Sequence, residues 1–188
     1  MKKKKTKSIK KSKSKKSTAS SGGDIIQLIL KDHMPIKKLI EVLKNPEVKR
    51  SEKKVAFEKF VPTLLTHAKS EEESLYVHMK EESKELRAEG FEGNTEHAIA
   101  EQLIEEIKQS HDEDEWMAKV KVLGELVEHH IEEEEDERFK EVRKEFELEK
   151  RVEIGEEYLR LRAQYANEFS DDSRTKIKRS NNEVEKIF

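Results

Sequence analysis

The 188-residue chain contains no cysteine, three prolines and six glycines, and only 6% of it is aromatic. Without cysteine there is no disulfide, thiolate nucleophile, zinc finger or iron–sulfur cluster. Any metal must be held by nitrogen and oxygen. So few prolines and glycines leave few turns, which excludes a sandwich or barrel of many short strands. No stretch approaches the ~18 consecutive apolar residues of a membrane span. What the chain has in quantity is charge, 43% of its residues, and helix formers such as Glu, Lys and Leu.

The net charge of −3 hides a split. Residues 1–23 carry 10 Lys and no acid, leaving 29 cationic side chains against 42 acids in the remainder, a net of −13. Met1 and Ile9 are the only sizeable apolar side chains of that first segment. It cannot bury enough surface to offset its ordering entropy, so it reads as a disordered tail. The tail is either simply solvated or a weak tether to a polyanion such as nucleic acid, anionic lipid or an acidic partner. It lacks the apolar stretch of a secretion signal, and a cytoplasmic location is the expectation.

Helical runs fill the rest. The first covers about 24–44, between Asp24 and the Asn45–Pro46 stop. The second covers about 51–87, and Gly90 and Gly93 mark a loop after it. The third starts near Asn94 or Thr95 and ends about Gln109, and the fourth starts near Asp112 and can continue past Phe139. A charged helical extension over 141–169, with an interruption expected at Gly155, precedes a flexible C-terminal tail over 170–188. Local kinks are expected at Pro35 and Pro62.

The histidines fall at definite places relative to the apolar stripe of each helix. Ile26, Ile29, His33, Ile36, Ile40 and Leu43 alternate in steps of three and four, which is one helical face. Phe57, Phe60, Leu64, His67 and Glu71 do the same, as do His97, Ala100, Ile104 and Ile107. Trp116, Val120, Leu123, Val127, His130 and Glu134 complete the set. Each of the four helices therefore turns one His inward, and two add a Glu four residues later. Singly, each His has a structural explanation, and each HxxxE pair could be an exposed i, i+4 contact. Together, four His and two Glu would be costly to bury unpaired, and a shared metal centre satisfies them all. This donor set suits two iron or manganese ions in a bundle core. Glu101, four residues after His97, is a further candidate or an ordinary boundary residue. His129 falls one residue off the stripe, His78 lies too far from His67 along its helix, and His111 lies in a loop.

The ordered pattern His33 … HAKSEEESLY (67–76) … EHAIAEQLI (96–104) … HHIEEEEDERF (129–139) resembles the haemerythrin-like HHE cation-binding domains, over about residues 24–140. The resemblance implies an all-α, up-down-up-down four-helix bundle holding a non-haem di-iron centre, with Mn or Zn as alternatives to the two iron ions. The matching ligands are His33, His67, Glu71, His97, His130 and Glu134, with Glu71 and Glu134 as bridges. Oxygen-carrying members have an imidazole where this chain has Glu101, and an HxxxxD arrangement where it has HxxxE. A carboxylate there would make the site harder and favour the ferric state, against reversible oxygen carriage. Similar domains meet oxygen, nitric oxide or peroxide, or sense or store iron. Peroxide turnover is left open, and no catalytic residue is named. The competing reading is a metal-free helical adaptor tethered through its Lys-rich tail.

Overall fold

The structure is a computed structural model that describes residues 22–184, with side chains through Ser170. The Lys-rich tail, apart from Gly22 and Gly23, lies outside the described residues. Those described form an all-helical fold with no strand: α1 (Ile25–Lys44), α2 (Arg50–Glu73), α3 (Leu75–Glu82), α4 (Arg87–Gln109), α5 (Glu113–Glu133), a π-helical turn (Glu134–Arg138), α6 (Phe139–Glu145) and α7 (Leu148–Val184). None of these helices is long and apolar enough to cross a membrane.

α1 begins where Asp24 accepts a hydrogen bond from the Ile26 amide at 3.1 Å, satisfying an otherwise unpaired amide of the first turn. It runs through Pro35 to Lys44, and α2 runs through Pro62 to Glu73. α1 packs on α2 and α5, and α4 packs on α5 and α2, so these four long helices touch in a closed ring. Two separate apolar clusters form the core. One gathers Ile36, Ile40, Phe60, Leu64, Ile104, Val120 and Leu123. The other gathers Ile25, Ile29, Leu75, Tyr76, Met79, Phe139, Val142, Ile154 and Tyr158. The stripe residues between them are the inward His and Glu.

Four features differ from those expected of the sequence. The second helix does not run to 87. It is interrupted at Ser74, whose backbone departs from helical angles, and its continuation α3 ends at Glu82. Gly90 and Gly93 are not in a loop but inside α4. Their role is close approach rather than a turn, because a Cβ on Gly93 would meet the Tyr76 ring at 2.6 Å and one on Gly90 would press on Met79 at 3.2 Å. Gly155 likewise does not interrupt α7, for a Cβ there would lie 2.0 Å from the Gly23 carbonyl oxygen. With neither Gly nor Pro after it, nothing stops the helix, and its backbone continues to Val184 through the segment expected to be a flexible tail. α7 is no free extension either. It packs along α2 and α1, with Arg151 paired to Asp24 at 3.0 Å and Tyr165 bonded to Glu73.

The glycine contacts yield a test. In a helix interior Gly→Ala ordinarily stabilises by about 1 kcal/mol. Gly93→Ala should instead destabilise, by about 1–3 kcal/mol, because the buried Tyr76 ring has no room to yield. Denaturant unfolding of the variant reads the sign directly.

Candidate metal centre

The polar layer between the two clusters is built from four helices. α1 supplies His33, α2 supplies His67 and Glu71, α4 supplies His97, and α5 supplies His130 with Glu134 at the first residue of the π turn. All six side chains are buried. Their donor atoms fall into two compact groups, His33–His67–Glu134 and Glu71–His97–His130, each within 4.8 Å. Glu134 Oε2 lies 3.3 Å from His33 Nε2 and 3.6 Å from His130 Nε2. Glu71 Oε2 lies 3.6 Å from His67 Nε2 and 3.9 Å from His97 Nε2. Each carboxylate thus stands between an imidazole of its own helix and one from another, and spans from the His33/His67 pair to the His97/His130 pair.

Hydrogen bonding divides sharply between the outer and inner atoms of this layer. Every outward Nδ1 has a partner. His33 bonds Glu135 at 2.9 Å, His97 bonds Glu72 at 3.2 Å, and His130 bonds Glu96 at 2.6 Å. His67 bonds the Tyr158 hydroxyl at 3.2 Å, and that hydroxyl donates to Asp32 at 2.8 Å. A carboxylate only accepts, so the Nδ1 atoms of His33, His97 and His130 donate, and a ring that is neutral then turns its Nε2 lone pair inward. Inside, His33 Nε2, His67 Nε2, both Glu71 oxygens and Glu134 Oε2 are buried with no hydrogen-bond partner. His97 Nε2 meets only His130 Nε2, at 3.0 Å. Buried polar atoms left unpaired cost about 1–3 kcal/mol each. These nitrogens and carboxylate oxygens face inward in two groups, and once deprotonated they are the donors that a cation satisfies.

The two HxxxE segments do the same work twice. HAKSEEESLY and HIEEEEDERF share the form H-x3-E-E-x3-[Y/F]. In the first, Glu72 bonds His97 and Tyr76 stacks on the same ring, 5.5 Å between centroids. In the second, Glu135 bonds His33 and Phe139 stacks on that ring at 6.1 Å. In a regular α-helix the residue five after a Glu points about 140° away from it. The break at Ser74 and the π turn at Glu134–Arg138 each interrupt that regular period, and Tyr76 and Phe139 are buried against the histidines. The sequence reading missed Glu72, Glu135, Tyr76 and Phe139 because it followed an unbroken 3.6-residue period. The repeated ten-residue form is the signal that finds them.

Glu134 is further fixed through its other oxygen. Tyr76 Oη donates to Glu134 Oε1 at 2.6 Å, and the buried Arg138 guanidinium approaches that oxygen at 3.4 Å. The remaining sequence candidates lie elsewhere. Glu101 is 43% exposed and pairs with Lys69 at 3.0 Å, so the structure does not bring it to the donor set. Its helix face is the boundary one, where a nearby ammonium is the available partner. His129 is exposed against Glu133, His78 pairs with Glu82 and Glu157, and His111 is exposed. Beside His97 and His130 is a recess of about 20 Å³, walled by Leu64, Ala68, Ala100 and Val127, with Lys69 at its rim. That is room for about one water-sized molecule.

Burial pushes the His67 and His97 imidazoles below their ordinary range, His67 well below, where neighbouring His33 adds to the effect. His130 is also buried, but Glu134 and Glu96 outweigh that and lift it. Burial and then the Glu134 charge hold the Glu71 carboxyl well above the usual carboxylate range. At Glu134 burial opposes ionisation, yet His130 and His33 outweigh it and hold that carboxyl well below the range.

A sign follows for cation binding. Glu71 and His130 hold protons to higher pH than usual, and both must give them up to act as donors. Cation uptake should therefore release protons, and affinity should rise with pH until those raised values are passed. Calorimetric titration in two buffers of different ionisation enthalpy measures the release, and equal heats in both would contradict it.

Comparison with protein-family models matches residues 24–142 to the Hemerythrin HHE cation binding domain. No curated protein and no solved structure gave a match. The match spans α1 through the first residues of α6 and takes in all six inward donors. On that match and this donor geometry, the chain belongs to the haemerythrin HHE cation-binding domain family.

Proposed function

We propose that the protein is a non-haem di-iron protein whose centre meets a ligand of diatomic or peroxide size. In this reading α1, α2, α4 and α5 form the family's up-down-up-down bundle. His33, His67 and Glu134 would hold one ion and Glu71, His97 and His130 the other. The observation that carries it is the set of inward, unpartnered Nε2 and carboxylate atoms, set against outward Nδ1 atoms that all have partners. A metal-free adaptor would leave those buried atoms without compensation.

Bound there, a pair of iron ions supplies redox and Lewis-acid chemistry. The chain's own contribution is position and exclusion. Tyr76 and Arg138 occupy Glu134 Oε1, so only Oε2 is free to face the centre. Phe139 closes the His33 side. The His97/His130 side borders the small recess, and Glu101, at the place of the extra imidazole of oxygen-carrying relatives, turns to Lys69 instead. The recess has room for only about one water-sized molecule, which supports a very small ligand rather than an organic substrate.

Metal analysis of protein purified without a His tag should find about two iron atoms per chain, with near-ultraviolet charge-transfer absorption. His130→Ala should lose at least half of that metal, whereas the exposed His129→Ala should keep it. A protein that purifies metal-free, and whose melting temperature ignores added iron, would overturn the reading.

A further inference from the structure

Three of the four inward histidines donate their outer hydrogen bond to a carboxylate within the segment that defines the family. Glu135 serves His33, Glu72 serves His97 and Glu96 serves His130. His67 is the exception. Its Nδ1 has no carboxylate within that segment, and its partner is Tyr158, on α7, beyond residue 142. Tyr158 is fully buried in the apolar cluster on that side of the centre, so its ring is fixed by packing. Its hydroxyl has one proton and spends it on Asp32 Oδ2, at 2.8 Å. Asp32 is itself held by Arg162, from the next turn of α7. With its proton committed, the Tyr158 oxygen can only accept from His67, which requires the proton on Nδ1 and the lone pair on Nε2.

We infer that Tyr158 is a positioning residue of the centre: through the relay His67–Tyr158–Asp32–Arg162, α7 fixes the tautomer and ring angle of His67, and is a working part of the metal site. The inference rests on His67 being a ligand, as proposed above, but the tautomer it predicts belongs to the metal-free protein too.

Tyr158→Phe deletes the hydroxyl and keeps the ring, so the packing of α7 survives. Two measurements on the full chain test the role. Long-range 1H–15N correlation of the metal-free protein should show His67 as the Nδ1–H tautomer in the native chain and as a mixture in the variant. Chelator competition on the iron-loaded protein should show one ion weakened about 10–100-fold, the usual cost of losing an outer partner, and the other held as before. Asp32→Asn, which leaves Tyr158 in place but weakens its acceptor, should move both readouts in the same direction by less. It also serves as the test should Tyr158→Phe fail to fold. An unchanged His67 tautomer together with native affinity for both ions would overturn the inference. If the native chain binds no iron, the di-iron reading falls, and the tautomer alone decides whether Tyr158 sets His67.

Discussion

Everything in this fold answers to one constraint: six ionisable side chains occupy a layer that cuts the apolar core in two. Such a layer is costly unless each outward atom is paired and the inward atoms share a partner. The surrounding helices are arranged to meet the first condition without help. Carboxylates and a tyrosine reach every outward imidazole nitrogen, so ring orientation is set by the protein alone. The second condition is left to a cation. This explains why the inward atoms are nitrogens and carboxylate oxygens, donors once deprotonated, and why Tyr76 and Arg138 are spent on one oxygen of Glu134 while its other oxygen is kept clear.

The arrangement also crosses the two subsites. Glu72 follows a bridging candidate but supports His97 on another helix, and Glu135 does the same for His33. The aromatic rings five residues after Glu71 and Glu134 pack on those same imidazoles. Each HxxxE segment therefore steadies a histidine that it does not contain. Such crossing ties the four helices to a common geometry more tightly than apolar packing alone, because an imidazole held on one edge and stacked on one face has little freedom left.

Much of this was legible in the sequence. Steps of three and four placed His33, His67, His97 and His130 inward, and the absence of cysteine confined the donors to nitrogen and oxygen. The outer set was not legible, for two physical reasons. Glu72 and Glu135 sit one residue off the stripe, and the helix irregularities after Glu71 and Glu134 put Tyr76 and Phe139 out of a regular 3.6-residue period. Asp32 and Tyr158 are 126 residues apart, and no local period reports a contact of that separation. Gly90, Gly93 and Gly155 misled in the other direction. Glycine is as much a residue of close approach as of turns, and which role it plays depends on a neighbour that sequence spacing does not name.

The reach of α7 has a further meaning for how the molecule is made. His67 and Tyr158 are 91 residues apart, and His33 and Glu135 are 102. A chain emerging from the ribosome can form α1 and α2 early, but His67 meets its hydroxyl partner only after about residue 158 has been released. Contacts of such long separation close late, since loop entropy must be overcome before they contribute. The centre is thus among the last parts of the fold to become geometrically complete. Until α7 closes over α1 and α2, a half-made chain has its histidines but lacks part of the frame that aims them, so synthesis itself delays the moment at which a cation can be held in finished form.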